Sequence, residues 1–141
     1  MTNLGGIFGA IGLISIFYLA LRLILEAVTR QFRKQGKPTP RLLKKMYQFV
    51  TKTHRYAGFV ALTAIVVHFV LQYLYYDYVP IAGIIAGLVL VIQSVLGMGL
   101  IRQPDKTRRS KMAKLHRVLG VLLVVAVLIH RISGSRMDAE L

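Results

Sequence analysis

Histidine occurs four times in this 141-residue chain, as two pairs with one interval: His54 with His68, and His116 with His130. Fourteen residues separate the members of each pair, almost four turns at about 3.6 residues per turn, so both imidazoles leave a helix from nearly the same face. A slight left-handed supercoil at about 3.5 residues per turn would align them fully. At a rise of about 1.5 Å per residue the two rings stand roughly 21 Å apart along the axis. Two such helices side by side offer two stacked sites with two imidazoles each. Neutral imidazole suits iron, copper, nickel and zinc, so ligand type does not choose the metal.

The elements that must carry these rings read as membrane spans. The chain is 55% hydrophobic with no cysteine or tryptophan, and its mean hydropathy of +0.59 is too high for an ordinary globular domain. The apolar runs predict an all-α, four-helix transmembrane bundle in a single integral membrane domain, 1–141, with helices at about 4–27, 41–76, 81–102 and 111–134. The first run lacks a basic start and a small-residue cleavage site, so it is read as a helix rather than a signal peptide. Nine of the nineteen basic residues lie from Arg30 to Arg55 and seven from Arg102 to Arg117. Because Lys and Arg stay on the cytoplasmic side of short loops, the segments 28–53 and 102–116 are expected inside, with both termini and the turn at Asp77, Tyr78 and Pro80 outside. The net charge of +14 is then explained by topology and anionic lipid rather than by nucleic acid.

Several residues stand out along these spans. Gly5, Gly9 and Gly12 give the first helix a small-residue surface, and Gly83 and Gly87 do the same in the third. Arg22 and Glu26, four apart, are expected to pair or to snorkel to the interface. From Arg41 the pattern of Leu42, Leu43, Met46, Tyr47, Phe49 and Val50 against Lys44, Lys45 and Lys52 predicts an amphipathic start to the second helix. Gln93 is polar at membrane depth, where an interhelical contact or a hydrogen bond to a cofactor or quinone would satisfy it. The polar 133–141 segment is expected to fray.

Helices two and four share more than an interval. Each begins with a Lys, one intervening residue and His-Arg-x-x-Gly: Lys52, His54, Arg55 and Gly58 in one, Lys114, His116, Arg117 and Gly120 in the other. Two crossings separate these helices, so they are expected to run parallel, pairing His54 with His116 at the inner level and His68 with His130 at the outer. Two imidazoles are too few for a closed zinc site but fill both axial positions of a haem, whose porphyrin supplies the other four ligands. The absence of cysteine excludes thiolate zinc, iron–sulfur clusters and covalently attached haem of the C-x-x-C-H type. Gly58 and Gly120, one turn beyond the early histidines, would leave room for a flat macrocycle. Arg55, Arg117 and Arg131 each follow a histidine directly and are candidates for the propionates. The competing reading is a haem-free helical membrane protein whose histidines contact other helices; His68, deep between Val67 and Phe69, weighs against it.

With its doubled pair and its His-Arg-x-x-Gly motif, residues 52–132 resemble the b-type dihaem membrane cytochromes, including the ferric-reductase-like transmembrane domain and the cytochrome b subunits of quinol-oxidising complexes. The resemblance implies two non-covalent haem b groups per chain, bis-histidine ligation by His54, His68, His116 and His130, and electron transfer across the membrane. A quinol or a cytoplasmic flavoprotein is the expected donor, an unspecified electron acceptor is expected on the outer face, and a bacterial cytoplasmic membrane is the expected setting. The alternative within the same chemistry is a haem-bearing anchor subunit of a larger oxidoreductase. Gln72, Gln93, Tyr73 and Tyr47 are quinone-site candidates by polarity alone.

Overall fold

The computed structural model describes residues 3–76 and 79–137 of the chain; the turn residues 77–78 and the tail 138–141, expected on the outer face, lie outside the described residues. Every regular element among the described residues is an α-helix: α1 (Asn3–Lys34), α2 (Arg41–Tyr76), α3 (Ile81–Arg102) and α4 (Lys106–Met137). Each contains a stretch long and apolar enough to cross a membrane. Large apolar side chains such as Ile14, Leu74, Ile81 and Val118 stand open on the outside, as spans facing lipid require.

Two of the helix ends that differ from the sequence expectation do so through a local cap. Helix α1 runs to Lys34 rather than 27, because the chain turns only at Gly36, whose φ of 65° is the left-handed conformation glycine adopts freely. There Lys37 N–H donates to the Phe32 carbonyl at 3.0 Å and Gly36 N–H to that of Arg33 at 3.2 Å, the paired closure of a Schellman cap. Helix α4 starts at Lys106 rather than 111, because Asp105 Oδ1 accepts from Thr107 N–H at 2.7 Å and Arg108 N–H at 3.0 Å. Most of the basic residues assigned to loops therefore sit on helical extensions. At the other end α4 continues helically to Met137 where fraying was expected.

The helices form two antiparallel hairpins. In the first, Gly9 meets His68 and Gly12 meets Ile65; in the second, Gly83 meets His130 and Gly97 meets His116. Contact is close within each hairpin and sparse between them, and no Cα of α2 comes within 8 Å of a Cα of α4 among the described residues. The small core where the hairpins meet is built from Ile16, Ala61, Leu90 and Leu123. These residues are equivalent in pairs. Ala61 and Leu123 are related by the same step of 62 that relates His54 to His116 and His68 to His130, and Ile16 and Leu90 by the step of 74 that relates Gly9 to Gly83. The bundle is thus two copies of one hairpin plan, with α2 and α4 parallel and facing each other across a gap.

Candidate functional site

The histidines pair as their spacing requires. His54 and His116 approach with ring centroids 6.2 Å apart and planes at 75°, near the basic ends of α2 and α4. His68 and His130, at the far end, approach at 6.4 Å and 69°. A first-row metal bound by two imidazole nitrogens at about 2.0 Å each, with roughly 1.15 Å from nitrogen to ring centre, sets the centroids about 6.3 Å apart. Edge-to-face ring contacts span about 4.5–7 Å, so distance alone is common to both arrangements. The same geometry recurs at both levels of the bundle.

Three of the four rings are seated against a glycine of the neighbouring helix. A Cβ added at Gly9 would lie 3.1 Å from His68 Cε1 and Nδ1, one at Gly83 3.0 Å from His130 Cε1, and one at Gly97 3.2 Å from His116 Cε1. Each ring thus lays its Cε1 on bare backbone; for His68 the Nδ1–Cε1 edge makes the contact, for His116 Cε1 leads with Nδ1 at 3.8 Å, and for His130 Nδ1 and Nε2 follow at 3.2 and 3.6 Å. His68 Nδ1 lies 2.8 Å from the Gly5 carbonyl oxygen. A carbonyl only accepts, so Nδ1 carries the proton and the neutral ring keeps its Nε2 lone pair free for a ligand bond. His54 and His130 each have a buried Nδ1 without a partner. His116 Nδ1 is likewise buried without a hydrogen-bond partner. Among the described residues no third His, Cys, Asp or Glu joins either pair to complete a protein-only metal cage.

Gly83, which the sequence marks for helix packing, and Gly97, which it does not single out, are the two positions of α3 that meet the histidine rings. They stand fourteen residues apart, the same interval as His116 and His130, because antiparallel helices in constant register must repeat each other's spacing. That shared interval was the signal available. On α1 the same register places position 23 opposite His54, but Leu23 occupies it and no glycine seat forms there.

The remaining candidates divide. Space beside Gly58 is open, with nothing within 4 Å of an added Cβ, whereas Gly120 is covered by Gln93 Nε2 at 3.1 Å and by Leu23. Gln93 therefore makes the interhelical contact, although its buried Oε1 lacks a hydrogen-bond partner. Arg55 and Arg131 are exposed. Arg117 forms an ion pair with Glu26 at 3.5 Å and donates from Nε to the Ala113 carbonyl at 3.2 Å. Glu26 also pairs with Arg30, so the expected Arg22–Glu26 pair is replaced: Arg22 has a buried Nε with no hydrogen bond. Tyr18, one turn before Arg22, donates to the Thr53 hydroxyl beside His54; Thr53 itself donates to the Phe49 carbonyl at 2.8 Å. The polar residues considered for a quinone do not form one site, since Tyr47 and Gln72 are separated by about 38 Å of helix α2. An open apolar groove of about 310 Å³, lined by Phe8, Ile11, Phe59, Val60, Thr63 and Ala64, lies on the α1–α2 seam.

No protein-family model, no curated protein and no solved structure matches the chain.

Proposed function

We propose that this protein carries electrons across a membrane through two haem b groups, one held by His54 and His116 and the other by His68 and His130. The observation that carries the reading is the repeated histidine pair, with centroids 6.2 and 6.4 Å apart on parallel helices at two levels. A haem held by each histidine pair would supply one-electron carriage. The chain's own residues do the positioning. Gly9, Gly83 and Gly97 let the rings lie against backbone, the Gly5 carbonyl selects the His68 tautomer, and the open space at Gly58 leaves room beside the basic-end site. The apolar helices keep water from both levels.

The basic end is the cytoplasmic end under the positive-inside rule, which makes the His54–His116 site the inner one. Its dense Lys and Arg surface would steer an acidic donor, a flavoprotein, or sit against anionic lipid next to a quinol. Outward movement of an electron from a negative cytoplasm gains about 2.3 kcal/mol per 100 mV.

The test is a dithionite-reduced minus oxidised visible spectrum of the purified full-length chain expressed with ample haem, with haem quantified as the pyridine complex. Two low-spin b-type haems per chain is the expected result. A chain that folds and inserts yet carries none would leave the histidines as helix contacts and end the electron-transfer reading.

A further inference from the structure

We propose that Arg22 is a fixed, unpaired charge that makes the two histidine sites unequal, raising the affinity of the basic-end site for an electron above that of the far-end site. The inference rests on the haem reading above. Helix α1 passes both sites in one register: Gly9 lies against His68, and thirteen and fourteen residues later Arg22 and Leu23 reach the level of His54. A Cβ added at Gly120, one turn beyond His116, would lie 3.7 Å from Leu23 Cδ1, so this level of α1 packs beside the basic-end pair and the Arg22 charge acts on both of its rings. Its Nε is buried without a hydrogen-bond partner, and among the described residues it has no ion pair. The nearest carboxylate along the helix, Glu26, is already engaged by Arg30 and Arg117, so that trio carries a net charge of +1 and Arg22 adds a second.

The far-end site is built differently. Fourteen residues before Arg22 the chain has Phe8. The cation beside that pair is Arg131, which follows His130 but is exposed, so its field is screened. His68 alone among the four donates its Nδ1 proton to a carbonyl, that of Gly5, and such a bond increases the electron donation of the ligand and favours the oxidised iron. The oxidised iron carries one more positive charge than the reduced, and in a low-dielectric interior a neighbouring cation penalises the oxidised form more. Both differences act in one direction. When a single electron is shared between the sites, the one that gains it and the one that loses it balance, and the partition favours the end near Arg22. An electron entering at the basic end would rest there until the membrane field or an oxidising acceptor draws it outward.

The experiment is a potentiometric titration of the full-length haem-loaded protein, followed by its visible spectrum, with the His68→Ala variant identifying which midpoint belongs to the basic end. Arg22→Gln is expected to lower that midpoint by about 59 mV, a tenfold change in a one-electron equilibrium, and to leave the other in place. Arg22→Lys is expected to restore it. Glu26→Gln, which removes a negative charge at the same end, is expected to shift the same midpoint upward by a smaller factor, and it keeps the test open if Arg22→Gln fails to fold. Midpoints that do not respond to these changes, or a response at the far end instead, overturn the inference while leaving two haems in place. A chain without haem overturns the haem reading itself.

Discussion

The basic-end and far-end sites are two uses of one hairpin plan, and they differ on α1. Helices α3 and α4 treat both levels alike: Gly97 seats His116 and Gly83 seats His130. Helix α1 does not. It offers Gly9 and the Gly5 carbonyl to His68, but Leu23 and Arg22 at the level of His54. One hairpin therefore keeps the geometry constant while the other varies the surroundings, which is how a duplicated fold can hold two like pairs in unlike environments. The approach distances, 6.2 and 6.4 Å, are nearly the same at both ends, so any difference in behaviour must come from charge and hydrogen bonding.

The harshest way to break the comparison is to remove one ring. His68→Ala should abolish the far-end haem, spare the other and remove about half of the haem absorbance per chain, because one imidazole cannot make a six-coordinate low-spin site; loss of both haems would show that the levels are not independent. Next in size are the glycine seats. Since a Cβ at Gly83 already meets His130 at 3.0 Å and one at Gly97 meets His116 at 3.2 Å, Gly83→Leu should empty the far-end site and Gly97→Leu the basic-end site. Each side chain would displace its ring at an overpacking cost of about 1–3 kcal/mol. Haem content measured per site by the spectra of the two variants checks this, and equal loss from both would mean that the whole α3–α4 contact had shifted.

A finer division is expected between the two glycines of the repeated motif. Gly58→Leu extends into open space and should lower basic-end haem occupancy with little change in thermal stability, whereas Gly120→Leu strikes Gln93 and Leu23 and should lower stability first; thermal melts beside haem quantification separate the two. Acid should weaken loading at both ends, since only the neutral imidazole ligates and protons compete with iron. Haem content followed against pH checks this, and loading that persists until acid unfolds the bundle would count against direct ligation. The smallest effect belongs to Tyr18→Phe, which removes one hydrogen bond to Thr53 and should cost about 1 kcal/mol, read as a lower melting temperature with the far-end spectrum unchanged.

Much of the molecule was legible before any coordinates. Hydropathy and helical period are local properties of a chain, so the four spans, the parallel course of α2 and α4 and the pairing of His54 with His116 and His68 with His130 follow from sequence alone, and the structure has each of them. Helix ends were less legible, though their signals were present: Gly36 closes α1 and Asp105 opens α4 by capping chemistry that hydropathy does not register. Only the tertiary structure decided which side chains meet across helices. Glu26 had Arg22 four residues away and Arg30 four residues away, and choosing Arg30 together with Arg117 of α4 depends on the rotation of α1 against its neighbours. The same rotation left Arg22 Nε buried without a hydrogen-bond partner and placed Gly9, Gly83 and Gly97 against their rings. Interhelical register and rotation are set by packing summed over the whole bundle, and no window of sequence contains that sum.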